Sequence, residues 1–465
     1  MGGVRLRMTV RNELNVVIVG AGYVGLTTGV CLAYLGHRVV FVDRNEKIIR
    51  KLVDGQAVIH EPGLQEIMNE TRNRLAFGVS MGGVIKGADV IIIAVGTPSK
   101  ENGDADTSAV ERVAEEIGDN LPGGKGVVIV NKSTVPIGSA RRVEAVVSAR
   151  LRQRGVDCHF SVASNPEFLR EGAAVSDTFY PDRIVVGAEK ADAVNVLRQL
   201  YNPILEQTFM PPAVSPRPSD YALPPFITTS ATSAELIKYA ANSFLAMKVS
   251  FINEFAGLAE RLGADIREVA RGIGSDKRIG MRYLEAGLGW GGSCFGKDTR
   301  AIIYTASQYG YSMELVQATV AANYRQRFLV VEKLQASLKA IRGRTISLLG
   351  LAFKPQTDDL RDAPAIDIIC KLLDLGARVK VYDPLAMDNF RRQYAGLDVE
   401  CAENPLELCS GSDALVLVTD WPEFAAIDWE EAGGRMRHRV IVDGRNMLKR
   451  EELERAGFVY MGVGC

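Results

Sequence analysis

Cys294 stands in Gly287-Leu-Gly-Trp-Gly-Gly-Ser-Cys-Phe-Gly-Lys-Asp298, a glycine-dense stretch that sets one thiol three and four residues ahead of a lysine and an acid. A thiol outside any apolar pattern, with a cation and a carboxylate nearby, is a candidate nucleophile. Towards the other end of the chain, Val16-Val-Ile-Val-Gly-Ala-Gly-Tyr-Val-Gly25 reads as a buried strand entering a glycine turn and a helix start. That layout suits a dinucleotide: Gly20 permits the tight turn, Gly22 lets backbone approach a pyrophosphate, and Gly25 lets the helix pack on the strand. Asp43 closes the second apolar strand, where a carboxylate can accept a ribose hydroxyl and would repel a 2′-phosphate. This favours NAD, while the neighbouring Arg44 leaves NADP open. A hydride acceptor and a covalent thiol in one chain imply oxidation past the aldehyde.

A third cluster lies on a helical pattern. Lys238 and Asn242 are four residues apart and so share a helix face, with Glu235 close to the same stripe. The surrounding Ala234-Glu-Leu-Ile-Lys-Tyr-Ala-Ala-Asn-Ser-Phe244 is apolar enough to bury the lysine in part. A buried ammonium needs a partner and can stabilise an oxyanion or a thiolate. The bland alternative is a solvated stripe.

The elements that must hold these groups follow from length and periodicity. The chain has 465 residues, too many for one core, and its formal net charge of −1 lacks the basic footprint of a nucleic-acid binder. The longest apolar runs, such as 90–95, fall far short of the roughly 20 residues of a membrane span. The start, Met1-Gly-Gly-Val-Arg-Leu-Arg7, has no secretory apolar core, and Leu6 breaks the myristoylation pattern, so the chain reads as cytoplasmic. Seven cysteines are scattered without zinc-site spacing, which argues against a metal and against a disulfide framework. Cys31 and Cys370 fall in apolar helical patterns and read as small core residues.

Apolar runs at 16–19, 39–43, 90–95, 127–131 and 161–163 alternate with helical stretches, and the rhythm returns at 345–350, 378–383, 414–419 and 440–443. This predicts an α/β fold of two Rossmann-like doubly wound domains joined by a long central helix. Gly20, Asp43 and Thr97 are echoed by Gly350, Asp383 and Thr419. The joining helix is expected over 228–262, with Thr232 and Glu235 as a capping box and Gly263 as a stop. Such a helix can tie two domains together and pair with a second subunit. Before it, 209–226 holds six prolines and reads as an ordered surface loop. The expected domains are 1–208 for the dinucleotide, 209–330 for the loop, the helical dimerisation region and the thiol, and 331–465 for a nucleotide sugar.

Eight segments in this order carry a family resemblance. They are 20–25, Ser133-Thr-Val-Pro-Ile-Gly138, Asn165-Pro-Glu-Phe-Leu-Arg-Glu-Gly172, Pro181-Asp-Arg-Ile-Val-Val-Gly187, the Lys238/Asn242 helix, 291–298, Gly350-Leu-Ala-Phe-Lys-Pro355 and Asp443-Gly-Arg-Asn446. Over nearly its whole length the chain resembles the UDP-glucose 6-dehydrogenases of the UDP-glucose/GDP-mannose dehydrogenase family. The resemblance implies a four-electron oxidation of UDP-glucose at C6 to UDP-glucuronate, with two NAD molecules used in turn. It makes Cys294 the nucleophile, gives Lys238 and Asn242 the developing oxyanion, gives Asp298 the water, and has Thr134, Glu167 and Glu171 assist. For NAD it implies Gly20, Gly22, Tyr23, Val24, Gly25, Asp43, Arg44, Lys47, Gly96, Thr97, Thr134, Glu171, Lys297 and Arg361. For the sugar nucleotide it implies Phe168, Leu169, Arg170, Lys238, Asn242, Gly291, Phe295, Phe353, Lys354 and Arg445, with Arg278 reaching in from a neighbouring subunit of a homodimer or larger assembly.

Two positions depart from that pattern. Gly296 stands where the family usually has proline, which predicts a more flexible thiol loop, and Trp290 stands for tyrosine or phenylalanine, which predicts a bulkier wall. UDP-N-acetylhexosamines and GDP-mannose stay open as substrates of the same machinery. A two-electron hydroxyacid dehydrogenase would share the NAD fold and a central lysine but has no use for Cys294, and a non-catalytic NAD-binding regulator would have no use for Cys294, Lys238 or Asp298.

Overall fold

The computed structural model describes residues 13–124 and 126–465, so the N-terminal residues read above for targeting lie outside the described residues. The chain divides into two compact units, 1–238 and 239–465.

In the first unit, β1 (Asn15–Val19), β2 (Arg38–Val42), β3 (Leu75–Gly78), β4 (Val90–Ile93), β5 (Val127–Asn131), β6 (Phe160–Ser164), β7 (Ile184–Ala188) and β8 (Phe226–Thr229) form one sheet. Its order is β3-β2-β1-β4-β5-β6-β7-β8, parallel except where β6 meets β7. The second unit holds β9 (Thr345–Leu349), β10 (Arg378–Tyr382), β11 (Val399–Cys401), β12 (Ala414–Leu417), β13 (Val440–Asp443) and β14 (Val459–Met461) in the order β11-β10-β9-β12-β13-β14. Both sheets therefore repeat the doubly wound order in which the first and fourth strands lie side by side. Strands such as Val90-Ile-Ile-Ile93 are buried at every residue because helices cover both faces, which is why they read as unbroken apolar runs. Sequence periodicity found nine of these strands and missed β3, β8, β11 and β14, which are short and lie at sheet edges, and β7, which pairs with β6 and edge strand β8.

The long helix runs Ala231–Leu262, 32 residues, and ends at Gly263, whose φ of +73° stops it. It begins in the first unit and continues into the second, linking them by unbroken backbone. The expected capping box is not formed. Ser230 instead receives the Ser233 N–H, and the Glu235 carboxylate accepts from the backbone N–H groups of Gly138 (2.6 Å) and Ala140 (2.9 Å), at the start of the neighbouring helix Ser139–Arg154. A carboxylate on the fifth residue of one helix thus neutralises the positive end of another. The proline-rich segment is ordered by packing: Phe209 and Tyr221 lie against the Tyr180 ring, and Ser215 O accepts the Tyr180 hydroxyl at 2.9 Å.

Cys31 is buried in the core as its pattern predicts, but Cys370 is exposed. Its helix, Pro364–Asp374, turns Ile368, Ile369 and Leu372 inward, and one helical step carries position 370 out of that stripe.

Burial raises the Glu235 carboxyl above its ordinary 4.5, against the downward pull of the two N–H groups and Arg141. The folded state therefore holds this proton more tightly than the unfolded chain, and the group's contribution falls as pH rises above that value. Glu235→Ala is expected to lose about 1–3 kcal/mol by leaving the two N–H groups unpaired. Denaturant unfolding at about pH 4.5 and about pH 7 should show the gap from wild type narrowing as pH rises; a gap that widens would contradict this assignment.

Candidate active site

The dinucleotide cradle is built by backbone. Gly20 sits at φ +103°, where a side chain would be strained and its Cβ would meet Ala94 O at 2.6 Å. Gly25 packs so closely that a Cβ would lie 1.9 Å from Gly20 O, whereas a Cβ on Gly22 would meet nothing within 4 Å. The helix Tyr23–Tyr34 starts there with no side-chain cap, which leaves its first amides to a bound phosphate. Asp43 accepts the Ala21 N–H on Oδ2 and the Asn45 N–H on Oδ1, both at 2.9 Å, which leaves each oxygen a lone pair for a ribose hydroxyl. Arg44 and Lys47 follow it on the surface. The residues present fit NAD.

The same frame recurs in the second unit and is put to another use. Gly20 donates to Val42 O and Gly350 donates to Tyr382 O, each at 2.8 Å. Asp383, the counterpart of Asp43, is fully buried and takes N–H groups from Leu351, Ala352, Leu385 and Ala386 and the indole of Trp421. With five donors on two oxygens it has nothing left for a ribose. The helix that follows β9 starts only at Pro364, so the turn at Gly350 opens into a loop and no helix N-terminus faces it.

Within the first unit the segment after β6 meets the long helix. Lys238, 4% exposed, donates to Glu167 Oε1 at 2.8 Å and to Glu167 O at 2.7 Å. The other Glu167 oxygen accepts the Leu169 N–H at 2.6 Å. Burial alone would raise the Glu167 carboxyl; the charge and hydrogen bond of Lys238, with the Leu169 N–H, bring it below its ordinary value, so the carboxylate stays ionised. Phe168 covers the pair, with the Lys238 ammonium 5.5 Å and the Arg183 guanidinium 3.8 Å from its ring centre. Elsewhere in the first unit, the Thr134 carbonyl accepts the Thr97 hydroxyl at 2.7 Å.

In the second unit, Cys294 caps the helix Phe295–Gln308, with its sulfur half-buried and 3.5 Å from the Ser293 hydroxyl. The positive end of that helix favours a thiolate. One turn on, Asp298 is wholly buried and ion-paired with Lys297, and it accepts the Asn242 amide at 2.6 Å. The loop before the thiol is fixed by Trp290. Its backbone N–H and carbonyl both bond Asn323, its indole donates to Ser250 at 3.2 Å, and its ring meets Phe295 edge-on. Buried Arg327 joins the Trp290 carbonyl to Asp362 and Asp367. Gly296 is therefore not slack: it is buried, and a Cβ there would stand 2.3 Å from Asp362 Oδ2. Arg445 lies among the carbonyls of Val418, Gly289 and Phe353, and Lys354 stands over the Phe353 ring. Burial lowers the Arg445 guanidinium, with Asp420 and Asp443 acting against the shift.

Other expected site residues bind near neighbours. Arg170 forks onto Asp177, Arg361 onto Asp359, and Arg278 onto Asp276, with Arg278 89% exposed. Sequence reasoning missed Asn323 and Arg327, although Thr319, Asn323 and Arg327 recur at four-residue spacing and make a buried polar stripe. It also missed Glu61, a buried acid in a Glu-Pro-Gly turn that reads as solvent-exposed.

Three models of the UDP-glucose/GDP-mannose dehydrogenase family match in sequence order: the NAD binding domain over 14–205, the central domain over 232–325 and the UDP binding domain over 347–450. The chain is 44% identical to a UDP-glucose 6-dehydrogenase of Rhizobium meliloti over 97% of its length and 99% of the relative's. It is 42% identical to UDP-glucose 6-dehydrogenase TuaD of Bacillus subtilis over 97% and 93%. A UDP-glucose dehydrogenase structure from Pyrobaculum islandicum superposes with a TM-score of 0.86 at 38% identity, covering 99% of this chain and all of that one. The chain belongs to the UDP-glucose/GDP-mannose dehydrogenase family and is an NAD-dependent oxidoreductase of that kind.

Proposed function

We propose that the protein oxidises UDP-glucose at C6 to UDP-glucuronate in two steps, through a covalent adduct on Cys294. The observation that carries this reading is the buried Asp298 carboxylate, held by Asn242 and Lys297 one helical turn from a half-buried thiol. Curated relatives named UDP-glucose 6-dehydrogenase, matched end to end, support the substrate. Bound NAD accepts a hydride from C6 in each oxidation.

The residues account for the remainder. The first oxidation turns the C6 alcohol into an aldehyde, whose carbon has no second hydride to give until a nucleophile adds. The Cys294 thiolate forms a C–S bond, and the carbonyl oxygen becomes an alkoxide near the Lys238 ammonium and the Asn242 amide. Loss of the second hydride converts this thiohemiacetal to a thioester. Water, oriented by Asp298 with Thr134, Glu167 and Glu171 assisting, then breaks the C–S bond, releasing the acid and the thiolate. Lys354 and Arg445 suit the diphosphate, since they bring charge and, for arginine, a planar fork. We place the reaction in the cytoplasm.

The long helix supports a homodimer. Phe244, Phe251, Phe255, Leu258 and Leu262 recur at intervals of seven, four, three and four along one side and are exposed in the single chain. Arg278, solvent-exposed in its own chain, would then serve the second copy's site.

Wild-type enzyme should form two NADH for each sugar oxidised. Cys294→Ser should form no acid while binding NAD and sugar nucleotide within a few fold, since it loses thiolate chemistry at little change in size. One NADH per sugar with aldehyde accumulating, or full turnover by the serine variant, would rule out the thioester. Among substrates, UDP-glucose should exceed UDP-N-acetylglucosamine and GDP-mannose in kcat/KM by at least about tenfold, because an acetamido group must displace packed atoms or strand polar ones. A preference for an acetamido sugar would move the enzyme to another branch of its family and leave the roles of Cys294, Lys238 and Asp298 intact. Sedimentation should show a dimer that Phe251→Glu with Phe255→Glu converts to a monomer; an active wild-type monomer would refute the pairing.

A further inference from the structure

Glu61 joins the two parts of the first unit that the reaction needs in register. It lies in the loop between the helices Glu46–Val53 and Leu64–Glu70, ahead of Gly63, whose φ of +79° turns the chain inward. Its carboxylate is 6% exposed and has no basic partner among the described contacts. One oxygen accepts the Ala174 N–H at 2.7 Å and the Val175 N–H at 3.4 Å. The other accepts the Gly172 N–H at 2.7 Å and the Tyr23 hydroxyl in a short contact. The Gly172 N–H is shared, reaching the Tyr23 oxygen at 2.9 Å. Burial, then the hydrogen bond and charge of Glu61, keep the Tyr23 phenol protonated and a donor.

The two ends of this network are not equivalent. Tyr23 is the first residue of the helix that receives the pyrophosphate. Gly172 ends the segment that carries Glu167, the counter-ion of Lys238, and Phe168 above it. The structure assigns Glu61 as a positioning residue: through Tyr23 and Gly172 it holds the 165–172 segment against the start of the dinucleotide-binding helix, so that NAD binds to a cradle already in register with the Lys238–Glu167 pair. The assignment rests on the family's NAD chemistry and not on the identity of the sugar.

The test is a double-mutant cycle read by calorimetric titration with NAD alone, below the melting temperature of each variant. Glu61→Gln keeps the size of the side chain but turns one acceptor into a donor facing Gly172 and Tyr23. Tyr23→Phe deletes the hydroxyl and leaves the backbone bonds of Glu61 in place. Each single change should weaken NAD by about tenfold, and the double variant should be no weaker than the worse single one, because both break the same link. A purely structural role would lower melting temperatures and leave NAD affinity untouched in the folded protein. If Glu61→Gln does not fold, Tyr23→Phe decides by hydrogen exchange: the Gly172 amide should exchange faster than in wild type. Wild-type NAD affinity in the single variants, losses that multiply in the double, or unchanged exchange at Gly172 would overturn the assignment. No sugar is present, so an error in the proposed substrate leaves the result readable.

Discussion

A charge taken out of water has to bring its counter-charge with it, and in this chain that charge is Lys238. Burying an ammonium alone costs several kcal/mol, and a pair offsets the cost only when its geometry is good and its remaining lone pairs are used. Glu167 meets both conditions: it takes Lys238 on its side chain and on its carbonyl, and its second oxygen takes Leu169 N–H. The pair therefore fixes where the segment after β6 lies against the long helix. The same helix, one turn later, delivers Asn242 to Asp298. At about 1.5 Å per residue the two polar groups are separated by about 6 Å along the axis. Keeping that separation along the helix requires uninterrupted helical hydrogen bonding, and the sequence between them, Tyr-Ala-Ala, contains no breaker.

The paired sheets show how one backbone frame serves two ends. Gly20 and Gly350 both take a positive φ and both donate to the end of the next strand, so the turns after β1 and β9 match in hydrogen bonding. The divergence lies in the carboxylate that follows. Asp43 is half-buried and keeps lone pairs to offer, whereas Asp383 is saturated by its own loop and by Trp421. A buried acceptor with five donors rigidifies its turn and has no lone pair left for a ribose, so this carboxylate holds the loop where its counterpart can take a hydroxyl.

What was legible in the sequence is what a local rule governs. Runs such as Val127–Asn131 and Val440–Asp443 end where the apolar pattern ends, and the 32-residue helix was visible from its periodicity and from Gly263. The glycine fingerprint, the burial of Lys238 and the setting of Cys294 were likewise readable, because each follows from residue types within a few positions. Groups whose partners lie far along the chain were not. Glu235 looked like the acid of a capping box in its own helix, and its spacing fitted; its N–H partners lie nearly a hundred residues earlier. Glu61 gave no signal at all, since its partners are Tyr23 and backbone amides of 172–175. Cys370 failed for another reason: an apolar neighbourhood in sequence is not a face, and one residue of rotation is enough to expose it.

Glycine in place of proline at 296 predicts a more flexible thiol loop, and the packing around that loop gives the opposite account. A Cβ on Gly289 would stand 2.3 Å from the Asn323 amide oxygen, one on Gly291 2.3 Å from Asp362 O, and one on Gly292 2.7 Å from the Phe353 ring. Each glycine is thus a place where another part of the second unit comes too close for a side chain. Asp362 holds its position at φ +52°, a strained conformation for an aspartate, and Arg327 secures it by an ion pair. Its carboxylate fills the space that a larger residue at 296 would need. Gly296 and Asp362 therefore behave as a matched pair, and the absence of a ring at 296 is compensated by a charged group locked from behind. Close packing of backbone against fixed partners leaves Cys294 at a defined helix end without requiring proline to stiffen the approach.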